Sequence, residues 1–430
     1  MSRPGKARPG GWARLAAWGA AGVFLWPLAR LALLSLGGWG ELLAQPGAFA
    51  RAWAGSALVC LGCLAGQLLT GIPAAWGVFQ QPVMQGYGFS RGRAMLAFAV
   101  LVAAYGAGCA VGGLLQDAHG PRFAGLWGTA LLAGGFFAAA LVPPANAVLF
   151  LLVYSLPAGL GSAFLAPAVL ACAQKWYKDK KGWATGVAGV AMGLSGAFFT
   201  LFVKGVGGAW GIRVCFAALG AVMLVVCGAG ALILQDPPAQ AQPGKTQPGL
   251  DWPQMVRTPQ YKLCVAAVAL SAPAVLLFSP EIFKIAAERG LPEAAAPYSI
   301  VLGSAASAAG RLLLPACSDK LGRKPVLYAV YLGLAAGSVW FAFAANWWVL
   351  AAYALLTFFY SGGAAVQPAF NTDLFGLPHA GVNYGFIALG MSGGSLVSYI
   401  GSQALPLAAR HWLAGGCAVA GLVCIRLVKP

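Results

Sequence analysis

The residue best placed to do chemistry in this sequence is Arg311. It sits inside the apolar, small-residue stretch Ala305-Ala306-Ser307-Ala308-Ala309-Gly310-Arg311-Leu312-Leu313-Leu314. A guanidinium at the centre of a bilayer costs about 2.5–3.5 kcal/mol on insertion scales. A helix that keeps one there turns it toward a protein cavity and an anion, and its planar fork of donors suits a carboxylate. The bland alternative is a side chain that snorkels to the interface or pairs within the bundle. No Asp or Glu lies at matching depth in a neighbouring segment, and Asp319 is two turns away. Glu281 and Lys284, one turn apart, read either as an ion pair at an interface or as a gate. Covalent chemistry has no support. The histidines His119, His379 and His411 fall in or beside loops, and the cysteines lie mostly in apolar runs. Cys60 and Cys63 form a C-x-x-C without metal-type partners. A membrane enzyme would need a nucleophile–base pair or metal ligands at depth, so neither metal nor cofactor is expected.

The elements that must position Arg311 are membrane helices. The 430 residues are 60% hydrophobic and 9% charged, against about 45–50% and 25% in soluble domains. Apolar stretches of spanning length fall at about 56–80, 94–116, 122–142, 146–172, 183–206, 212–235, 262–286, 295–316, 325–344, 347–371, 381–405 and 409–428. The longest polar break, from Gln235 to Gln260, is rich in Pro and Gln, a linker composition. The expected organisation is a basic and apolar extension over 1–55, a six-helix half over 56–235, a cytoplasmic linker over 236–260 and a second half over 261–430. Residues 15–40 of the extension are apolar, and an interfacial segment suits its basic front better than a spanning one. The net charge of +17 is scattered through short loops, which argues against nucleic-acid binding. With the loop after the second helix cytoplasmic, that side holds thirteen Lys and Arg against seven opposite, the usual bias. Gly186, Gly189, Gly193 and Gly196 share one face of the fifth helix, a small-residue stripe for close packing or rocking.

The halves repeat. Asp117 answers Asp319 at 202 positions, Pro167 answers Pro368 at 201, and Gly182 answers Gly381 at 199. Paired repeats with a site near the midplane are a transporter architecture. The charged turns that carry the two aspartates resemble the signature of the major facilitator superfamily, G-x-x-x-D-R/K-x-G-R/P-R/K. The first keeps Gly113, Asp117, Gly120, Pro121 and Arg122, with Ala118 where a basic residue is usual. The second keeps Asp319, Lys320, Gly322, Arg323 and Lys324, with Pro315 for the glycine.

Four stretches narrow the resemblance: Trp76-Gly-Val-Phe79, the basic run from Lys175 to Gly186, Gly310-Arg311 before Ser318-Asp319, and Pro368 to Gly376, continued by Asn383-Tyr-Gly385. They are similar to the oxalate/formate antiporter family, related to monocarboxylate transporters. The resemblance implies an all-α, multi-pass cell-membrane protein of the major facilitator fold, plus the extra N-terminal segment. It also implies a substrate-binding arginine at Arg311. The family's second cation, a lysine, falls on Met391. Three of its tyrosines fall on Ala74, Ala166 and Ala364, and a tryptophan falls on Tyr360. Trp76, Gln80 and Tyr360 are further candidates for the cavity wall. The function expected is alternating-access movement of a small organic anion, a monocarboxylate rather than oxalate, by exchange. A proton-coupled symporter and a non-transporting sensor remain the alternatives. The expected partners are that anion and the lipid bilayer, around a monomer.

Overall fold

Several crossing helices begin or end on residues that their sequence makes apt for the task. Ser90, Asn146 and Thr258 cap helix N-termini by accepting from Arg93, Leu149 and Tyr261, as short polar side chains do. Gly120 (φ 86°) and Gly322 (φ 89°) turn the chain between consecutive helices, a left-handed conformation that glycine adopts without a Cβ clash. The computed structural model describes residues 64, 66–176, 181–234, 249–376 and 379–429, all within the unit Val59–Pro430. The extension over 1–55, the Cys60–Cys63 pair and most of the linker lie outside the described residues.

Among those residues the chain is helical and has no strand. The first half holds α1 (Ile72–Tyr87), α2 (Arg91–His119), α3 (Pro121–Leu141), α4 (147–176), α5 (181–207) and α6 (Gly208–Ile233). The second holds α7 (Pro259–Glu288), α8 (Tyr298–Leu321), α9 (Arg323–Phe343), α10 (Trp348–Phe375), α11 (380–404) and α12 (Leu407–Leu427). Nine runs among the described residues are long and apolar enough to cross a membrane. One of them, Thr185–Ile233, reverses at Gly211 (φ 81°) and so contains both α5 and α6. Trp210, Trp347, Trp348 and Trp412 are exposed at the end remote from the Asp117 and Asp319 turns, as tryptophans at a membrane interface are.

The two halves are copies in backbone detail. Left-handed Gly88, Gly120 and Ala145 are answered by left-handed Gly290, Gly322 and Asn346. The amide of Ala145 donates to Tyr87 O (2.7 Å), and that of Asn346 donates to Arg289 O (2.8 Å). α7 and α11 are interrupted where their hydropathy implies continuous helices. α7 breaks between Ser271 and Ile282, where Pro273 and Pro280 each remove a backbone donor. α11 bends at Ala388.

Across the halves, α5 packs on α8 and α2 packs on α11. The glycine stripe of α5 faces α8, as its spacing predicts. A Cβ on Gly193 would lie 2.5 Å from the backbone of Ala308, and one on Gly186 2.9 Å from the carbonyl of Arg311. Glycine here lets two backbones meet.

Candidate functional site

α8 carries Ser304, Ser307 and Arg311 at spacings of three and four, hence on one face. With Tyr105 of α2, Met192 of α5, Tyr353 and Tyr360 of α10 and Met391 of α11, they line a central cavity between the halves. Its described lining contains one cation, Arg311, and no Asp, Glu or His. The stem of Arg311 lies against α5, where a Cβ on Gly189 would sit 3.3 Å from the arginine's own Cβ. The Nε of Arg311 is buried and has no hydrogen-bond partner. Tyr105, Tyr360 and Tyr384 lie within electrostatic reach of the guanidinium. Ser307 spends its proton on Ser361 Oγ, 2.7 Å away on α10. The arrangement is a concave, largely apolar chamber with a few convergent polar groups, the usual form of a small-molecule site.

The residues singled out from sequence divide into three groups. Arg311, Tyr360 and Met391 meet at the cavity, and Ala364 lines an adjoining space. Trp76 and Ala166 do not reach either. Trp76 is fully buried and packs on Phe98 and Tyr154, with ring centroids 6.2 and 6.1 Å away; an aromatic cluster inside the first half claims its large apolar face. Ala166 is buried in α4, where its carbonyl accepts from Gln67 Nε2 at 3.0 Å. Gln80 is also buried, with its Oε1 unpartnered. The side chain of Ala74 lies outside the described residues. Tyr105, Ser304 and Ser307 were missed from sequence. The three-four spacing of Ser304, Ser307 and Arg311 was the available signal.

The paired turns differ in what they hold. A Cβ on Gly113 would lie 2.8 Å from Val382 Cα, so α2 and α11 touch there. Asp117 meets His379 of the second half at 3.7 Å. In the second turn Arg323 bridges Asp319 (2.6 Å) and Asp373 (3.2 Å), tying α8, α9 and α10 within one half. Arg122 and Lys320 are exposed.

The expected pair Glu281–Lys284 is not formed. Lys284 faces Glu288 (3.6 Å), and both are more than half exposed. The break in α7 instead buries Glu281 at 5% exposure. There it accepts from Arg410 Nη1 (2.9 Å) of α12 and, across the halves, from Arg91 Nε and Nη2 of α2. A buried carboxylate needs such partners, and helical spacing alone does not name them.

A model of the Major Facilitator Superfamily matches residues 58–399 of this chain. The oxalate:formate antiporter of Oxalobacter formigenes is 25% identical over 334 residues, 74% of this chain and 77% of that protein. The uncharacterized MFS-type transporter YhjX of Escherichia coli K12 is 25% identical over 349 residues, 79% of this chain and 85% of the relative. The crystal structure of FucP, a transporter in the outward conformation, superposes with a TM-score of 0.64 at 17% identity, covering 87% of this chain and 98% of that one.

Proposed function

Because the chain belongs to the Major Facilitator Superfamily, a family of multi-pass membrane transporters, we propose that it moves a small monocarboxylate by exchange between the two sides of the cell membrane. The observation that carries this reading is Arg311, with an unpartnered Nε beside a cavity whose described walls offer no carboxylate. A buried guanidinium without a counter-charge is costly, and a substrate carboxylate supplies the missing partner through a bidentate pair. The similarity to an oxalate:formate antiporter supports an organic anion as cargo. Met391 stands on the cavity wall as a thioether, not a cation. A dianion there would leave one carboxylate unpaired in a low-dielectric chamber, at several kcal/mol. A monoanion avoids that cost.

Exchange is favoured over proton coupling because the described cavity wall has no Asp, Glu or His to carry a proton. The buried Glu281 is already engaged by two guanidinium groups. The divisions at 56–235 and 261–430, the cytoplasmic linker between them and the monomeric state belong to the same proposal. No bond is made or broken in the proposed cycle, so no catalytic role is assigned to any residue.

The test is counterflow of labelled monocarboxylates in proteoliposomes. Arg311→Ala should abolish uptake while the variant still purifies and melts as a folded protein. Undiminished carboxylate uptake in that variant would overturn the assignment.

A further inference from the structure

The central cavity does not end at its α10–α11 wall. Tyr360 and Met391 belong to it and also to an adjoining space, so these two side chains are the partition between compartments. The second compartment lies inside the second half, among α7, α9, α10 and α11. Helix-bundle interiors are ordinarily packed as densely as organic crystals. Here the packing is relieved at Ala364, whose single methyl group fronts the space.

The compartment also carries a buried polar group from α10. Gln367 lines it, is 5% exposed, and its Oε1 has no hydrogen-bond partner. An unmade hydrogen bond at a buried carbonyl is a standing cost that a bound donor removes. The neighbouring Tyr331 is not the donor, because its hydroxyl is committed to Ala267 O at 2.6 Å. Tyr360, Ala364 and Gln367 follow one another at spacings of four and three along α10, so they form one stripe. Gln367 stands about 10 Å beyond Tyr360 along the helix axis. Met391, unbranched and flexible, is a side chain suited to yield at such a partition.

We propose that the compartment behind Tyr360 and Met391 is a tail subsite, and that Gln367 accepts a hydrogen bond from a hydroxyl at the far end of the transported monocarboxylate. The subsite rests on the reading of Arg311 as the carboxylate anchor. The substrate class it selects is a medium-length acid with a terminal hydroxyl: carboxylate on Arg311, methylenes past Tyr360 and Ala364, hydroxyl on Gln367. Acids of one or two carbons would leave the compartment unused.

The experiment measures affinities of acetate, hexanoate and 6-hydroxyhexanoate for the purified full-length chain by calorimetry. The unmodified protein should bind hexanoate at least about tenfold tighter than acetate, from buried methylenes. It should bind 6-hydroxyhexanoate about fivefold tighter than hexanoate, from one hydrogen bond. Ala364→Tyr should collapse the first ratio toward one by filling the space. Gln367→Leu should collapse only the second, so it reads the proposal even if the tyrosine variant does not fold. Either ratio surviving its own variant overturns the subsite. So does a wild-type protein that shows no chain-length preference yet loses acetate binding in Arg311→Ala, a result that leaves the carboxylate anchor standing. Failure of all three acids to bind the wild-type protein overturns the anchor, and the subsite with it.

Discussion

At the scale of the residue, the proposed site is one cation and the bulk around it. Arg311→Lys keeps the charge but replaces a rigid fork by a single ammonium. Affinity for monocarboxylates should then fall by about tenfold or more, from the loss of one of two charge-assisted hydrogen bonds. Titration calorimetry beside the unmodified protein checks this; equal affinities would mean the fork is not used. Met391→Lys should act in the other direction. A lysine on that wall gives a second carboxylate its partner, so oxalate should gain on acetate in a competition assay. If the oxalate-to-acetate ratio does not move, Met391 does not face the distal end of the substrate. Arg311 was legible in the sequence because a lone guanidinium in an apolar run is costly and so has few explanations. Met391 and Tyr360 were legible through the resemblance. Trp76 and Ala166 do not line the cavity, and one sequence position does not say which face of a helix meets it: Trp76 packs into the core of the first half, while Ala166 is buried beside Tyr105 and Ala388.

At the scale of the element, hydropathy located the helices, and proline set the break in α7. Pro273 and Pro280 break α7, and that break carries Glu281 inward to Arg410 and Arg91. The spacing of Glu281 and Lys284 presumes an unbroken helix. Their expected pairing therefore failed for a local backbone reason. The glycine stripe of α5 was legible because its periodicity holds along one face. Its partner was not legible, since nothing in α5 names α8. The contact is close enough to predict the effect of bulk. A Cβ on Gly193 would meet the Ala308 backbone at 2.5 Å, and backbone cannot rotate away. Gly193→Leu should push α8, and Arg311 with it, off α5. Overpacking of this kind costs about 1–3 kcal/mol, so the variant should melt at a lower temperature and lose transport. Gly205, with open space around its Cα, is the control, and Gly205→Ala should behave as the unmodified protein. Normal transport by Gly193→Leu would mean that the α5–α8 contact is dispensable.

At the scale of the molecule, the halves touch at both ends of the central cavity. At one end Asp117 meets His379; at the other Arg91 meets Glu281. In the proposed cycle one of these opens at a time, and the exposure of Arg91 suits the Arg91–Glu281 contact to that role. Glu281 has two cationic partners with different attachments. Arg410 is 7% exposed and fixed in its own half, donating to Leu405 O (2.9 Å) and Ser402 O (2.6 Å) as well as to Glu281. Arg91 comes from the other half, and its side chain is 44% exposed. When the halves separate at this end, Arg91 returns to water while Glu281 keeps Arg410, so opening strands no buried charge. The two arginines should therefore fail differently. Arg410→Ala removes the fixed partner of a buried carboxylate, a loss of about 3–5 kcal/mol, and should lower the melting temperature. Arg91→Ala removes a partly exposed pair worth at most about 1 kcal/mol. It should leave melting nearly unchanged and raise the population open at this end. Spin labels on Pro144→Cys and Trp347→Cys, in the α3–α4 and α9–α10 turns of opposite halves, report that opening as a longer distance. If Arg91→Ala leaves the distance distribution as it was while Arg410→Ala shifts it, the removable partner has been assigned to the wrong arginine, and the contact is structural rather than a gate.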